Sequence, residues 1–279
     1  MERVYEQATE AIIRHTRDLE ILQLAGTYVL KRPCLPSWIP DLGDPQLSGE
    51  KDLRVEWMGF DAAADSPFAA TFLSTGCVRV RCFRADTCAK VEHAHPTDVT
   101  PSSEDAGSER MLDRCRPVLS RWRRLVLDAL HNVPEAVAAD RFWRLFCIHC
   151  NVRFGDVQQR EDWLNADAYQ NTRNVYVLAD RLSGASCFIT SSLRFGFAPR
   201  SSIAVDDELV ILAGCSRPVF VQSRPSAHGP DSHFQLIGAC VCEGAYQSAA
   251  SGPYQLLTLA IGLIVRRTNE SQSGTNPRS

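Results

Sequence analysis

The sequence predicts an α+β fold in which a curved antiparallel β-sheet, or a small barrel, is packed with several helices. Alternating apolar and polar residues indicate strands near residues 68–83, short strand-like segments follow residue 184, and two helical stripes lie between them. Short strands separated by turns rich in Ser, Pro and Gly favour a strongly curved sheet. We therefore expect the central helices to pack against sheet formed by both ends of the chain.

The N-terminal residues 1–24 are predicted to be helical because apolar side chains recur at helical spacing, and Asp18 is expected to start a second short turn. The segment 35–41, with the sequence LPSWIPD, follows. Its two prolines hold the backbone extended around Trp38. A stiff loop of this kind either plugs an edge of the core or lines a cavity.

Two strands are predicted at 68–73 and 77–83, joined by a hairpin-like turn at 74–76. In the second strand, Val, Val and Cys alternate with Arg, Arg and Phe over 78–83. This alternation is typical of a strand buried on one face. The polar stretch 93–108 is expected to be a surface loop.

Two central helices are predicted over residues 109–131 and 138–150, where apolar side chains form stripes at helical spacing. Pro117 lies inside the first of them, so that helix either begins or kinks there. Residues 155–182 are expected to be helical or mixed.

The C-terminal part of the chain is predicted to be rich in strands. Residues Leu256–Val265 fit a helix or a strand docked on the core. We expect residues 1–267 to form a single α+β domain and residues 268–279 to be a disordered tail. The other predicted strands cover 187–190, 193–197, 208–213, 218–222 and 234–242.

The composition excludes several classes of function. The chain has 279 residues, 44% of them apolar, and a net charge of −3, so nothing in its composition indicates a general affinity for nucleic acid or anionic membranes. No apolar run reaches about 18 residues, the length that a membrane span needs, and no hydrophobic signal segment follows Met1. Eleven cysteines without a framework spacing indicate buried thiols in a reduced, cytoplasmic protein.

Three blocks of sequence, taken in their order and spacing, resemble the C-terminal region of fungal heterokaryon-incompatibility (HET) proteins. Together they span most of the chain from residue 18 to residue 250. The blocks are DLEILQLAG at 18–26 with LPSWIPD at 35–41, CFIT at 187–190 with FGFAP at 195–199, and DELVILAG at 207–214 with PVF at 218–220, FQLIG at 234–238 and EG at 243–244.

The chain also departs from the pattern of this family. Asp206 stands where the family has a glycine, and Cys240-Val241-Cys242 replaces its usual tyrosine. The N-terminal effector domain of the family, the part associated with cell death, has no counterpart in the sequence. The resemblance therefore implies the half of such a protein that would recognise something, and not the incompatibility response itself.

Motifs for common catalytic chemistry are missing from the sequence. There is no Gly-x-Ser-x-Gly elbow, no phosphate-binding loop and no Gly-x-Gly-x-x-Gly after a strand. The segment CIHC at 147–150 has the spacing of a zinc half-site, but no second pair follows it. Cys240 and Cys242 would share one face of a strand. The spacing favours buried cysteine clusters over metal or redox chemistry, so we expect no cofactor and no metal.

The first functional hypothesis is a cofactor-independent enzyme of fungal secondary metabolism. It would bind an apolar metabolite in a deep pocket and orient it for an intramolecular cyclisation of the Diels–Alder type or for an isomerisation. The aromatic residues Trp38, Phe195 and Phe197 are the candidate substrate-binding walls, although ordinary core packing also explains them. Arg194 and Asp41 are the candidate catalytic polar groups; the simpler interpretations are a solvated strand residue and a turn cap.

Two hypotheses of another class stay open. A non-catalytic recognition module related to heterokaryon incompatibility would bind a protein partner, or a second copy of itself, through a flat exposed patch. A stand-alone fragment would have a structural or regulatory role.

Overall fold

The computed structural model describes residues 2–25, 35–43, 62–63, 68–73, 76–99, 108–150, 178–198, 203–224, 233–244 and 255–261. Within these residues the fold is α+β, as the sequence predicts. The helices are α1 (Glu2–Thr16), a 3₁₀ helix (Glu20–Leu24), α2 (Pro96–Val99), α3 (Ser108–Ala129) and α4 (Glu135–Cys150). The strands are β1 (Ala70–Leu73), β2 (Cys77–His93), β3 (Ser186–Thr190), β4 (Phe195–Ala198), β5 (Glu208–Leu212), β6 (Pro218–Arg224), β7 (His233–Ala239), β8 (Val241–Cys242) and β9 (Gln255–Ile261).

Strand β2 organises the sheet. Its Cys82 is in register with Leu212 of β5 and with Leu257 of β9, so these two strands flank β2 on opposite edges. Buried and exposed residues alternate along its first half, as predicted. Register shifts after Arg84 and after Cys88 then mark irregularities at which β2 passes from one part of the sheet to the other.

The strand pairings run in a ring. β5 pairs with β6, β6 with β7, β7 with β9, β9 with β2, and β2 pairs with β5 again. The pairs are antiparallel except β7 and β9, which run parallel. The last part of β2 continues outside this ring into β3, β4 and β8. The curved antiparallel sheet that the sequence predicts is thereby confirmed.

Three large clusters of buried side chains form most of the core, and a fourth, small one contains Ala62, Ala63 and Ile211. The helical core lies between α3, α4 and the strands β3 and β4. The ring core joins α1, the 3₁₀ helix and the Trp38 segment to β2, β5, β6 and β7. The junction core, between these two, contains Cys88, Phe188, Ala198, Ile203, Leu209, Phe220, Ile237, Cys240 and Cys242.

Several local predictions need correction or completion. The prediction of a polar loop at 93–108 is wrong at its start, because β2 continues to His93 and α2 follows. The Nδ1 atom of His93 lies 2.7 Å from Ser186 Oγ on β3. Helix α3 begins at Ser108 and runs through Pro117. The segment predicted as helix or strand near the C-terminus is strand β9.

Other predictions fall outside the described residues. The tail 268–279 and most of the segment 155–182 are among them, although a helical turn is seen at 178–182. The single-domain boundary therefore stays a prediction. In the described part of the chain, no helix has the length and apolar character that crossing a membrane requires.

Gly196 on β4 is required by close packing. A Cβ atom at this position would lie 2.2 Å from Cζ of Phe188 and 2.3 Å from the carbonyl oxygen of Val241. The Phe188 ring therefore lies directly over the glycine, and it packs edge-on against Phe220 with ring centroids 4.8 Å apart. This contact explains the glycine in the FGFAP block and joins β3 and β4 to the junction core.

We expect Gly196→Ala to destabilise the fold by about 3 kcal/mol, because backbone and an aromatic ring must both move to admit one methyl group. Urea unfolding measures this. Gly244→Ala is the control, because Gly244 has a φ of 70° and an added Cβ would meet Arg194 Nε only at an ordinary contact distance of 3.8 Å, so that variant should lose only about 1 kcal/mol. Equal losses of stability in the two variants would contradict the steric overlap at position 196.

Candidate functional site

The predicted site residues Trp38 and Asp41 lie at the edge of the ring core. Trp38 is buried, its Nε1–H donates to the carbonyl oxygen of Gly76 at 3.0 Å, and its ring contacts Phe72. Asp41 is 8% exposed, and its Oδ1 accepts the backbone N–H of Gly43 at 3.2 Å. Of the two alternatives for this loop, these contacts favour the one in which it plugs the core edge.

The predicted residues Phe195 and Phe197 lie elsewhere, in the helical core. Phe197 is central there: its ring centroid lies 5.5–6.3 Å from those of five other rings. Such edge-to-face and tilted contacts stabilise beyond simple burial. The whole group is named the aromatic cluster and consists of Trp122, Phe142, Trp143, Phe146, His149, Phe195 and Phe197.

Arg194 occupies a third place, the turn between β3 and β4. Its backbone N–H donates to Thr190 Oγ1 at 3.1 Å, and its carbonyl oxygen accepts from the N–H of Thr190 at 2.8 Å. The five predicted residues are therefore divided: Phe195 pairs with Phe197, Trp38 lies near Asp41 at another core, and Arg194 stands in a surface turn. Their catalytic and substrate-binding roles stay predictions.

Around Arg194, part of β2 meets three turns that adjoin the resemblance blocks. We name this group the turn cluster, and it comprises residues 86–88, 190–194, 204–207 and 243–244. Thr87 links the first two segments, since its Oγ1 lies 2.7 Å from Ser191 Oγ and its carbonyl oxygen accepts from the N–H of Ser191. Cys88 exchanges backbone hydrogen bonds with Asp206 and Asp207.

The fourth segment joins through Glu243 and Gly244. The N–H of Glu243 donates to the carbonyl oxygen of Phe195 at 2.9 Å. Arg194 Nε lies 3.8 Å from the place that a Cβ of Gly244 would take. The fold thus brings the turn of the second sequence block beside two turns of the third.

Two non-glycine residues of the turn cluster have strained backbones. Leu193 has a φ of 60° and Asp206 a φ of 73°. A left-handed conformation costs an ordinary residue about 1 kcal/mol or more, and such strain concentrates at functional sites. The Leu193 side chain is 49% exposed, and Val205, which precedes Asp206, is 51% exposed. The turn cluster therefore presents two apolar tips to solvent.

Charged side chains lie beside the turn that holds Leu193. The Asp86 carboxylate accepts the N–H groups of Thr87 and Ser192. Burial raises the pKa of the Cys242 thiol, Arg194 lowers it, and Asp86 and Glu243 raise it. These three charged side chains therefore lie near one buried thiol. Glu243 also forms a bidentate ion pair with Arg141 of α4, and this hydrogen bonding raises the pKa of Arg141.

His149, which lies in the aromatic cluster, is not among the site residues that the sequence predicts. Its ring is only 6% exposed and contacts Phe146 and Phe197. Burial first, and then the positive charges of Arg181 and Arg217, lower the pKa of His149 to about 3. The imidazole is therefore neutral at physiological pH. The feature of the sequence that indicates this burial is the position of His149 on the apolar stripe of α4.

Three of the four thiols in the cysteine motifs are buried, and Cys147 is half-buried. Cys150 of the CIHC segment is buried in the helical core, and burial raises its pKa well above the usual range. Cys240 and Cys242 both face the junction core, as predicted for a strand with both thiols on one face, and burial raises both pKa values. A protonated, buried thiol is a poor nucleophile. Among the described residues, no three His, Cys, Asp or Glu side chains are placed to hold a metal ion.

Comparison with known proteins does not identify a family. No family model matches the chain, and neither a curated protein nor a solved structure matches it.

His149 makes the stability of the fold depend on pH. An unfolded histidine takes up a proton near pH 6.5, whereas folded His149 stays neutral down to a pKa of about 3. Between these values the unfolded chain binds more protons, so stability falls as pH falls, by about 1.4 kcal/mol per pH unit. We expect His149→Phe to remove this slope between pH 6 and pH 4.

Urea unfolding at several pH values checks this expectation. His131→Phe is the matched control, because His131 is exposed just after the end of α3. The control should keep the slope of the wild type. A His149→Phe variant with the wild-type slope would show that folding does not lower the pKa of His149.

Proposed function

We propose that the chain is a recognition module related to the C-terminal region of HET proteins, and that it contacts a protein partner through the turn cluster. The observation that carries this proposal is the meeting, at one surface, of turns that adjoin two of the resemblance blocks. Loops held on a rigid scaffold commonly carry binding function. Here the scaffold is β2 with the buried strands β3 and β4, and the loops display Leu193 and Val205.

The strain in these turns also supports a binding role. A left-handed Leu193 is costly, and glycine would adopt the same backbone without strain. The Leu193 side chain does not belong to the buried core, since half of its surface is exposed. An apolar side chain retained at an unfavourable backbone position is explained by a contact that it makes with another molecule.

We expect Leu193→Asp to weaken partner binding at least tenfold, because a carboxylate would be desolvated inside an apolar contact. Val137→Asp is the matched control, since Val137 is 50% exposed on α4, outside the turn cluster. The measurement is quantitative mass spectrometry of proteins captured from fungal extract by wild type and variants. Light scattering of the purified chain tests self-association in the same way.

Leu193→Gly is the second variant, because it should fold at least as stably as wild type while losing the apolar tip. A partner retained by wild type and Val137→Asp, and lost by both Leu193 variants, supports the proposal. If every captured protein and the oligomeric state are the same in all four chains, the turn cluster is not the binding surface.

A second candidate function is the cofactor-independent enzyme that cyclises or isomerises an apolar metabolite. One observation favours it: Phe195 and Phe197, the two predicted substrate walls that the fold brings together, share a cluster with a neutral, buried histidine. Aromatic walls can hold a flexible polyene in a reactive conformation, and orientation alone lowers the barrier by several kcal/mol. The separate positions of Trp38, Asp41 and Arg194 make this the weaker candidate.

For this second candidate we expect a conjugated triene with a tethered alkene to give a product of unchanged mass, at a rate above that in buffer. Phe197→Leu should slow the reaction at least tenfold, because a central wall is lost. Phe72→Leu, in contact with the ring core, is the control and should leave the rate unchanged. Liquid chromatography with mass detection measures the product. Equal rates with and without protein for a panel of such trienes would exclude the enzyme.

A further inference from the structure

The end of α4 carries two cysteines that differ in exposure. Cys147 is half-buried, whereas Cys150, the last residue of the helix, is buried. Every other cysteine that the structure describes is buried as well. A thiol reacts with a dissolved oxidant only where the oxidant can reach it. Among the described cysteines, Cys147 is therefore the one best placed to react.

The spacing of Cys147 and Cys150 on α4 suits a disulfide bond. Residues three apart on an α-helix have Cα atoms about 5 Å apart, and disulfides span Cα distances of about 4.4–6.8 Å. The Cβ atoms of such residues are about 5–6 Å apart, so they must approach by about 1–2 Å to reach disulfide geometry. Because Cys150 ends the helix, and helix ends fray readily, this approach needs an adjustment of the last turn only.

The surroundings of Cys150 identify its partner and the order of reaction. Burial raises the pKa of Cys150 well above its usual range, and the next largest cause is the charge of Cys147, ahead of that of Cys115. Cys147 is thus the thiol that acts most strongly on Cys150. A thiol that stays protonated does not start an exchange reaction. Cys147 is therefore the attacking thiol, and Cys150 is the resolving one.

We propose that Cys147 and Cys150 form a reversible redox switch, in which a small disulfide such as glutathione disulfide oxidises them to an intrahelical disulfide that adjusts the last turn of α4. The Cys147 thiolate attacks one sulfur of glutathione disulfide and releases the first glutathione. Cys150, held beside the mixed disulfide, then loses its proton, attacks the Cys147 sulfur and releases the second. The protein loses two electrons and two protons, and one glutathione disulfide becomes two glutathione molecules.

The adjustment of the last turn acts on the aromatic cluster. His149 lies between the two cysteines, and its ring contacts Phe146 and Phe197. A disulfide from 147 to 150 therefore shifts a residue that is packed in the helical core. The inference rests on neither proposed function, because the exchange needs neither a protein partner nor an apolar metabolite.

The first test maps the thiols of the wild-type protein after equilibration in buffers with increasing ratios of glutathione disulfide to glutathione. One tryptic peptide, 145–153, contains both cysteines. After alkylation, this peptide should show the loss of two hydrogens and no alkyl group, and excess dithiothreitol should restore two alkylated thiols. Cys115→Ala is the control and should give the same result. A peptide that stays reduced in the most oxidising buffer, or a bond from Cys150 to Cys115, would overturn the proposal.

Two variants test the order of reaction. Cys150→Ser removes the resolving thiol, so Cys147 should retain one glutathione as a mixed disulfide, seen as an added mass on peptide 145–153. Cys147→Ser should slow the oxidation of Cys150 at least about tenfold, because the remaining thiol is buried and protonated. A Cys150→Ser variant that takes up no glutathione, or a Cys147→Ser variant oxidised at the wild-type rate, would contradict this order.

A further measurement on the wild type tests the change in the helix. The NMR signals of the His149 imidazole should shift when the disulfide forms and return on reduction. Those of His131, which is exposed just after the end of α3, should stay in place. A disulfide that forms while the His149 signals stay unchanged would show that α4 does not respond, and the switch would be excluded.

Discussion

Strand β2 is the constraint on which the rest of the structure depends. Over 17 residues it forms hydrogen bonds with β5 and β9 in the ring, and with β1 and β3 outside it. One strand can serve both parts only if it changes direction, and the two register shifts, after Arg84 and after Cys88, mark where it does so. The turn cluster is built at these irregularities. Residues 86–88 bond there to the turn at 190–194 and to the turn at 204–207.

The part of the sheet beyond the ring is buried on both faces, and this explains its sequence. All residues of β3 and β4 are buried, because α3 and α4 cover one face and the junction core covers the other. A strand buried on both sides reads as a continuous apolar run, and alternation is lost. Within this double layer, side chains on one face of a strand limit the room for side chains on the other. Phe195 and Phe197 fill the helical side, while Gly196 leaves room for Phe188 on the other.

The sequence predicted the strands and the long helices well because their signals are local. The alternation at 78–83 and the apolar stripe of the helix ending at Cys150 need no knowledge of the partner element. The site was less predictable, because its residues meet only through the fold. Trp38 and Phe197 are both buried aromatic residues in the sequence pattern, yet they lie in different cores, since β2 separates the ring from the outer strands. Likewise, nothing local predicts that Thr87 and Ser191 share a hydrogen bond.

The aromatic cluster and the turn cluster are joined by contacts of Phe195 and of α4. The Phe195 side chain belongs to the aromatic cluster, and its carbonyl oxygen holds Glu243 of the turn cluster. Glu243 in turn binds Arg141, two turns before His149 on α4. A molecule that displaced α4 from β4 would therefore act on the Arg141–Glu243 pair, and a partner that moved Glu243 would act on Phe195. Coupling of this kind requires that each ligand prefer one arrangement of the pair. The bidentate ion pair can distinguish two such arrangements. Its planar geometry tolerates little displacement before both charge-assisted hydrogen bonds weaken.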